Sequence, residues 1–139
     1  MSAAFVIDCS ITMAWCFDDE ATPKASKILD RLANEKALVP ELWFLEVANV
    51  LAMAEKRRRI TAAKSDEFVS LLEKLDIEID QGRPGGAFST LLPLCRANGL
   101  TSYDAVYLDL AVRRSLPLAS LDDELRRGAK ALGVKLLGK

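Results

Sequence analysis

Four acidic residues of this chain stand in apolar company. Asp8 follows the run Ala3-Ala4-Phe5-Val6-Ile7, and Glu46 lies inside Leu42-Trp43-Phe44-Leu45-Glu46-Val47-Ala48-Asn49-Val50. Asp104 opens a helical pattern that continues through Tyr107 and Leu108, and Asp122 comes straight after Leu118-Ala119-Ser120-Leu121. A carboxylate in such surroundings loses hydration unless it meets a cation, a donor or water. Four of them at one pocket would repel and raise one another's proton affinity, and a divalent cation would resolve the conflict. An all-oxygen ligand set suits Mg²⁺ or Mn²⁺. Such an ion activates water and offsets charge building up on a phosphoryl group. The chain has no histidine. Ser-His-Asp and Cys-His catalysis, HExxH zinc proteases and histidine proton shuttles are therefore excluded.

Each acid also has a plainer reading. Asp8 would cap the helix that follows it, although Ser10 could cap equally well and leave Asp8 free. Glu46 shares a stripe with Leu42, Asn49, Val50 and Met53 and could snorkel at the edge of the core. Asp104 sits where a helix dipole favours a carboxylate, on a face with Tyr107, Leu108 and Ala111. Asp109 and Arg113 read as a solvent-side i,i+4 pair on the other face. Asp122 is a good N-cap for a helix from Asp123 to Leu132, with Ser120 placed to assist and Asp123 and Glu124 as solvated first-turn acids. The acids gain meaning only as a set.

The elements that must hold them alternate in type. Short apolar runs at 3–7, 37–39, 77–79, 118–120 and 134–137 are the right size for buried strands. Between them lie helical patterns near 12–18, 23–35, 41–58, 61–75, 86–97, 102–114 and 122–132. Strands separated by helices imply parallel βαβ units and a three-layer α/β/α sandwich. In such a sheet ligands bind beyond the carboxyl ends of the strands, which is where Asp8 and Asp122 fall. The stretch Gln81-Gly82-Arg83-Pro84-Gly85-Gly86 matches neither GxGxxG nor GxxxxGK[ST] and reads as a turn or mobile loop. Lys56-Arg57-Arg58-Arg59 ends a helix, where basic residues complement the dipole, or else forms a patch for RNA phosphates.

The chain has 139 residues, one domain's worth, and is expected to form a single domain over 1–139. Nineteen basic residues against twenty acidic ones give a net charge of −1, which argues against an overall basic nucleic-acid coat but not a local groove. Cys9, Cys16 and Cys95 are odd in number and form no CxxC pair, so free thiols in a reducing compartment are expected. The segment 37–54 is broken by Pro40, Glu41, Glu46 and Asn49 and is no membrane span. No charged segment followed by a long apolar one opens the chain, so neither a signal peptide nor a membrane is expected, and the cytoplasm is the expected location.

The run Phe5-Val6-Ile7-Asp8-Cys9-Ser10 and the segment Pro40 to Leu51 resemble the PIN domain family, as do Leu100-Thr101-Ser102-Tyr103-Asp104-Ala105-Val106-Tyr107-Leu108 and Leu118-Ala119-Ser120-Leu121-Asp122. The chain looks most like the VapC-type toxins of toxin–antitoxin pairs. Each motif alone is weak, but four occur in family order between Phe5 and Leu137. The resemblance implies a five-stranded parallel sheet in the order 3-2-1-4-5 and a metal-dependent endoribonuclease. It implies Asp8 and Asp104 as principal metal ligands and Glu46 as the acid that holds the metal and orients the nucleophile. Asp122 would be the fourth acid, Ser10 and Ser120 supporting hydroxyls, and Thr101 a weaker one. It further implies Mg²⁺ (or Mn²⁺) as cofactor, RNA as substrate, a homodimer and a cognate antitoxin partner. The rival reading is a catalytically silent PIN-like module that binds RNA or protein, which loss of an acid would signal. A haloacid-dehalogenase-type phosphatase would need an acid where Ser10 stands, and a response-regulator receiver would need adjacent acids after its first strand.

Overall fold

The computed structural model describes residues 2–82, 85 and 87–139. The first apolar run is the centre of the sheet: Ala3–Ile7 (β1) pairs in parallel with Lys36–Pro40 (β2) on one side and Leu118–Ala119 (β4) on the other. Ile77–Asp80 (β3) extends the sheet beyond β2, and Leu136–Leu137 (β5) extends it beyond β4. The order is β3-β2-β1-β4-β5, all parallel, as the family resemblance implies. Phe5, Val6, Ile7, Leu38 and Leu118 are wholly buried. A strand covered on both faces needs a continuous apolar run rather than an alternating one, which is what β1 and β2 supply.

The helices are Cys9–Cys16 (α1), Pro23–Arg31 (α2), Leu42–Lys56 (α3), Ala62–Lys74 (α4), Ala87–Asn98 (α5), Ser102–Arg114 (α6) and Asp123–Ala131 (α7), with a 3-10 turn at Asp18–Glu20. α1 begins three residues earlier than the periodicity suggests, directly after β1. α2 stops at Arg31, short of the expected Glu35, and a series of hydrogen-bonded turns carries the chain to β2. The Gly-rich stretch retains no helix or strand at Gln81, Gly82 or Gly85; its positions 83, 84 and 86 lie outside the described residues.

α6 is the helix on which the sequence pattern misleads. It packs on β1, β2 and β4 and is flanked by α5 and α7. A helix covered from several sides has no broad solvent face. Asp109 is accordingly 7% exposed, not solvent-side. Its pair with Arg113 exists, at 3.0 Å, but Arg113 also reaches Asp80 at 2.8 Å and Arg114 reaches Asp80 at 3.3 Å. This charged network pins the end of β3 to α6. The apolar stripe of α3 is likewise one position over: Trp43, Val47, Leu51 and Ala54 are its buried residues, which leaves Glu46 at the edge of the core.

Candidate active site

The sheet order reverses between β1 and β4, since the chain leaves β1 toward β2 and returns to its other side only at β4. In open parallel sheets the ligand crevice lies beyond the carboxyl ends of the strands at such a switch point. Asp8 follows β1 directly and Ser120 follows β4 directly. α3 begins right after β2 and α6 runs back toward the start of β4, so their first turns overlook the same edge and carry Glu46 and Asp104. α7 starts there with Asp122.

Asp8 is 4% exposed and fully engaged. Its Oδ1 accepts from Ser10 Oγ at 2.6 Å and from the Ile11 N–H at 3.1 Å, and its Oδ2 accepts from Ser120 Oγ at 2.5 Å. Asp8 is thus itself the cap of α1 and Ser10 is not; the helix begins at Cys9, which makes Ile11 the third helical residue and puts its N–H within reach of Asp8. The two serines do more than hold Asp8. Ser10 Oγ accepts from the Leu121 N–H at 2.8 Å and Ser120 Oγ from the Asp122 N–H at 3.0 Å. Together they lace the end of β1 to the turn that carries Asp122.

Asp122 is exposed and caps α7, its Oδ1 accepting from the Leu125 N–H at 2.9 Å. The plainer reading holds for its local role. Asp104 is half-buried in the first turn of α6, which Thr101 caps by accepting from the Asp104 N–H at 3.2 Å. Glu46 meets a donor rather than a cation: Tyr107 Oη donates to its Oε1 at 2.5 Å. Tyr107 is a residue that sequence reasoning placed on the inward face and gave no task. The available signal was a buried phenol, which needs a partner for its hydroxyl. Arg126 was missed altogether. Its Nη1 donates to Ser120 O and to Leu137 O, each at 2.8 Å, and ties the ends of β4 and β5 together beneath the site.

The electrostatics show the acids sensing one another. Burial, with a contribution from Asp122, pushes Asp8 up to about 6 in spite of its three hydrogen bonds. Burial, then Asp122, Asp8 and Glu124, push Asp104 up to about 6. Glu46 is raised by burial and by Asp104, and the Tyr107 hydroxyl pulls it the other way. Cys9, beside Asp8, is pushed up to about 12 by burial and by Glu46, Asp8 and Glu20. It is therefore a thiol and no nucleophile at neutral pH. All three cysteines are free and half-buried, as expected.

No arginine or lysine pairs with Asp8, Glu46, Asp104 or Asp122 among the described residues. Nor does any group of three Asp, Glu or Cys side chains there stand close enough to grip an ion as it is. The donor set nevertheless fits a hard divalent cation in chemical type: carboxylates only, mutually repelling, with no cation to balance them.

A family model for the PIN domain matches residues 5–131. The chain belongs to the PIN domain family. Its fold is that of several solved members and relatives. PAE2754 from Pyrobaculum aerophilum superposes with a TM-score of 0.75 at 20% identity, covering 98% of this chain and 90% of that one. VapBC2 from Rickettsia felis, solved bound to a DNA fragment from its promoter, gives 0.67 at 11% identity, with 96% of each chain covered. VapC20 from Mycobacterium tuberculosis, a sarcin–ricin loop cleaving toxin, gives 0.63 at 10% identity, covering 94% and 96%. No curated protein matches the chain in sequence. Among the described residues, no helix of this PIN domain is long and apolar enough to cross a membrane.

Proposed function

We propose that this PIN domain is a metal-dependent endoribonuclease that cleaves RNA phosphodiester bonds, and that it is the toxin of a toxin–antitoxin pair. One observation carries the reading: four carboxylates from four elements gather at the sheet's switch point, three with raised proton affinity and none balanced by a cation. PIN domains are generally nucleases, which agrees with it.

Asp8, Glu46, Asp104 and Asp122 would hold Mg²⁺ or Mn²⁺. When bound, such an ion lowers the pKa of water and offsets charge on the reacting phosphate. The rest falls to this chain's own side chains. Ser10 and Ser120 fix both oxygens of Asp8, so its orientation is set before any ligand arrives. Tyr107 occupies Oε1 of Glu46, and no hydrogen bond to Oε2 is made among the described residues. With no histidine in the chain, Glu46 is the group suited to take a proton from an attacking water, because its raised affinity brings it nearer neutral pH.

An antitoxin partner is supported by neighbours solved as toxin–antitoxin complexes, and a homodimer by apolar side chains left on α3 and α5, among them Leu45 at 71% and Phe88 at 89% exposure. The expected workplace is the cytoplasm. The test is RNA cleavage by purified protein with Mg²⁺ or Mn²⁺, with and without EDTA. Undiminished cleavage in excess chelator would overturn the metal mechanism. Induced expression of the chain alone should arrest bacterial growth, and Asp8→Ala at matched protein levels should release it. Equal arrest by both would favour a silent binding module.

A further inference from the structure

The acids leave one strongly charged feature unused, the run Lys56-Arg57-Arg58-Arg59 where α3 ends. The helix closes there in a Schellman turn: the Arg59 N–H donates to Ala54 O at 2.8 Å and the Arg58 N–H to Glu55 O at 3.0 Å. Arg58 fills the left-handed position of that turn, with φ 60°. Glycine meets that backbone requirement without strain, whereas a residue with a Cβ does not. An arginine there suggests that its side chain has a use.

The four cations are not equivalent. Arg59 is engaged within the chain: its guanidinium lies 3.8 Å from the centroid of the Phe17 ring, and its Nη2 reaches Asp19 and Glu20, each at 2.8 Å. It rivets the turn against the 3-10 turn at Asp18–Glu20. Lys56, Arg57 and Arg58 are exposed, and no carboxylate pairs with them among the described residues. Their position is tied to the acids along α3: an exposed i,i+4 stripe of Leu45, Asn49 and Met53, continued by Arg57 at the C-cap, leads from the flank of Glu46 to the turn. The helix between Glu46 and Lys56 spans about 15 Å.

We propose that Lys56, Arg57 and Arg58 form a docking surface for the phosphate backbone of single-stranded RNA, holding a segment that flanks the bond at the four acids. This rests on the nuclease reading above. A chain with net charge −1 and a carboxylate-lined crevice repels a polyanion, so the strand needs a cationic hold away from the acids. Three unpaired charges projecting from a fixed turn suit phosphates, which position a strand without reading its sequence.

Two variants separate charge from fold. Arg58→Gly relieves the left-handed backbone and should melt at or above the wild-type temperature. Lys56→Gln with Arg57→Gln and Arg58→Gln removes all three charges. A labelled single-stranded RNA oligonucleotide is titrated by fluorescence anisotropy in EDTA, so that the strand stays whole, between about 50 and about 200 mM salt. Each lost contact should flatten the slope of log K against log salt by about 0.7 and weaken binding about fivefold near 0.1 M salt. Wild-type affinity and slope in both variants would overturn the docking surface, as would no RNA binding by the wild type. Loss confined to an acidic polypeptide such as polyglutamate would overturn it in favour of a protein partner. Patch-dependent binding without cleavage under Mg²⁺ would overturn the nuclease reading and leave the docking surface standing.

Discussion

Ser120 Oγ donates to Asp8 Oδ2 at 2.5 Å across a sequence separation of 112 residues, and Ser120 Oγ in turn accepts from the Asp122 N–H at 3.0 Å. One wholly buried side chain thus sets the orientation of one acid and the backbone leading to another. Ser120→Ala should weaken Mg²⁺ or Mn²⁺ binding by about 10–100-fold, the usual effect of losing a partner that orients a ligand. It should also cost about 1–3 kcal/mol for the buried groups left without a partner. Ser120→Thr should restore most of both. Calorimetric metal titration checks this, and an unchanged affinity in Ser120→Ala would show that Asp8 needs no such hold.

Two aspartates five positions apart on α6 should behave differently. Asp104→Asn should reduce RNA cleavage by at least about 100-fold while the metal-free fold holds or melts higher, because it removes one of several repelling carboxylates. Asp109→Asn should leave cleavage per folded molecule near wild type. Because Asp109 is buried against Arg113 at 3.0 Å, it should lower stability by about 1–3 kcal/mol rather than the few tenths of an exposed pair. Specific activity normalised to folded protein separates the two. Comparable loss of specific activity in both variants would mean that α6 presents both residues to the crevice.

What the sequence made legible follows from which interactions are local. Five apolar runs and the helical periods between them place the elements, and the position of Asp8 and Asp122 after strands places them at the ligand edge. The capping role of Asp122 was readable because it depends on residues three apart. Asp109 was misjudged because its burial depends on how α5 and the end of β3 pack around α6, which a helical wheel does not contain. Asp80, the partner that draws Arg113 inward, lies 33 positions away. The choice between Asp8 and Ser10 as the cap stayed open because the first turn of α1 begins three residues sooner than the apolar pattern implies. The tie between Tyr107 and Glu46 spans 61 positions and needed the tertiary fold.

That tie makes a separate prediction. Tyr107→Phe keeps the ring in the core and removes only the hydroxyl. Glu46 then loses the one influence that lowers its proton affinity, so its carboxyl should titrate higher than in the wild type. The acidic limb of the pH–rate profile should move to higher pH in the variant, with substrate KM little changed. A pH–rate profile for wild type and variant checks it; superimposable profiles would remove Tyr107 from the site.

The metal-free protein should be more stable near pH 5 than near pH 7.5, the reverse of a domain held by ion pairs. Asp8 and Asp104 carry carboxyls pushed up to about 6, against an ordinary 3.8. A raised carboxyl binds its proton more tightly in the folded chain than in the unfolded one. The stability it contributes is therefore complete below the unfolded value and is lost as pH rises through the folded one. For Asp8, almost wholly buried, that loss reaches at most about 3 kcal/mol. Asp80 works in the other sense. Burial opposes its ionisation, yet Arg113, the Gly82 N–H and Arg114 hold it below its ordinary value. Its contribution is present above about 4 and fades only in stronger acid, outside the window compared. Millimolar Mg²⁺ should reverse the trend, because an ion binds the ionised acids and stabilises the fold in proportion to its occupancy. Asp8→Asn with Asp104→Asn should flatten both effects. Thermal melts at the two pH values, with EDTA or Mg²⁺, decide the matter, and a metal-free melting temperature that climbs from pH 5 to 7.5 would show that these carboxyls are not the groups setting the pH response.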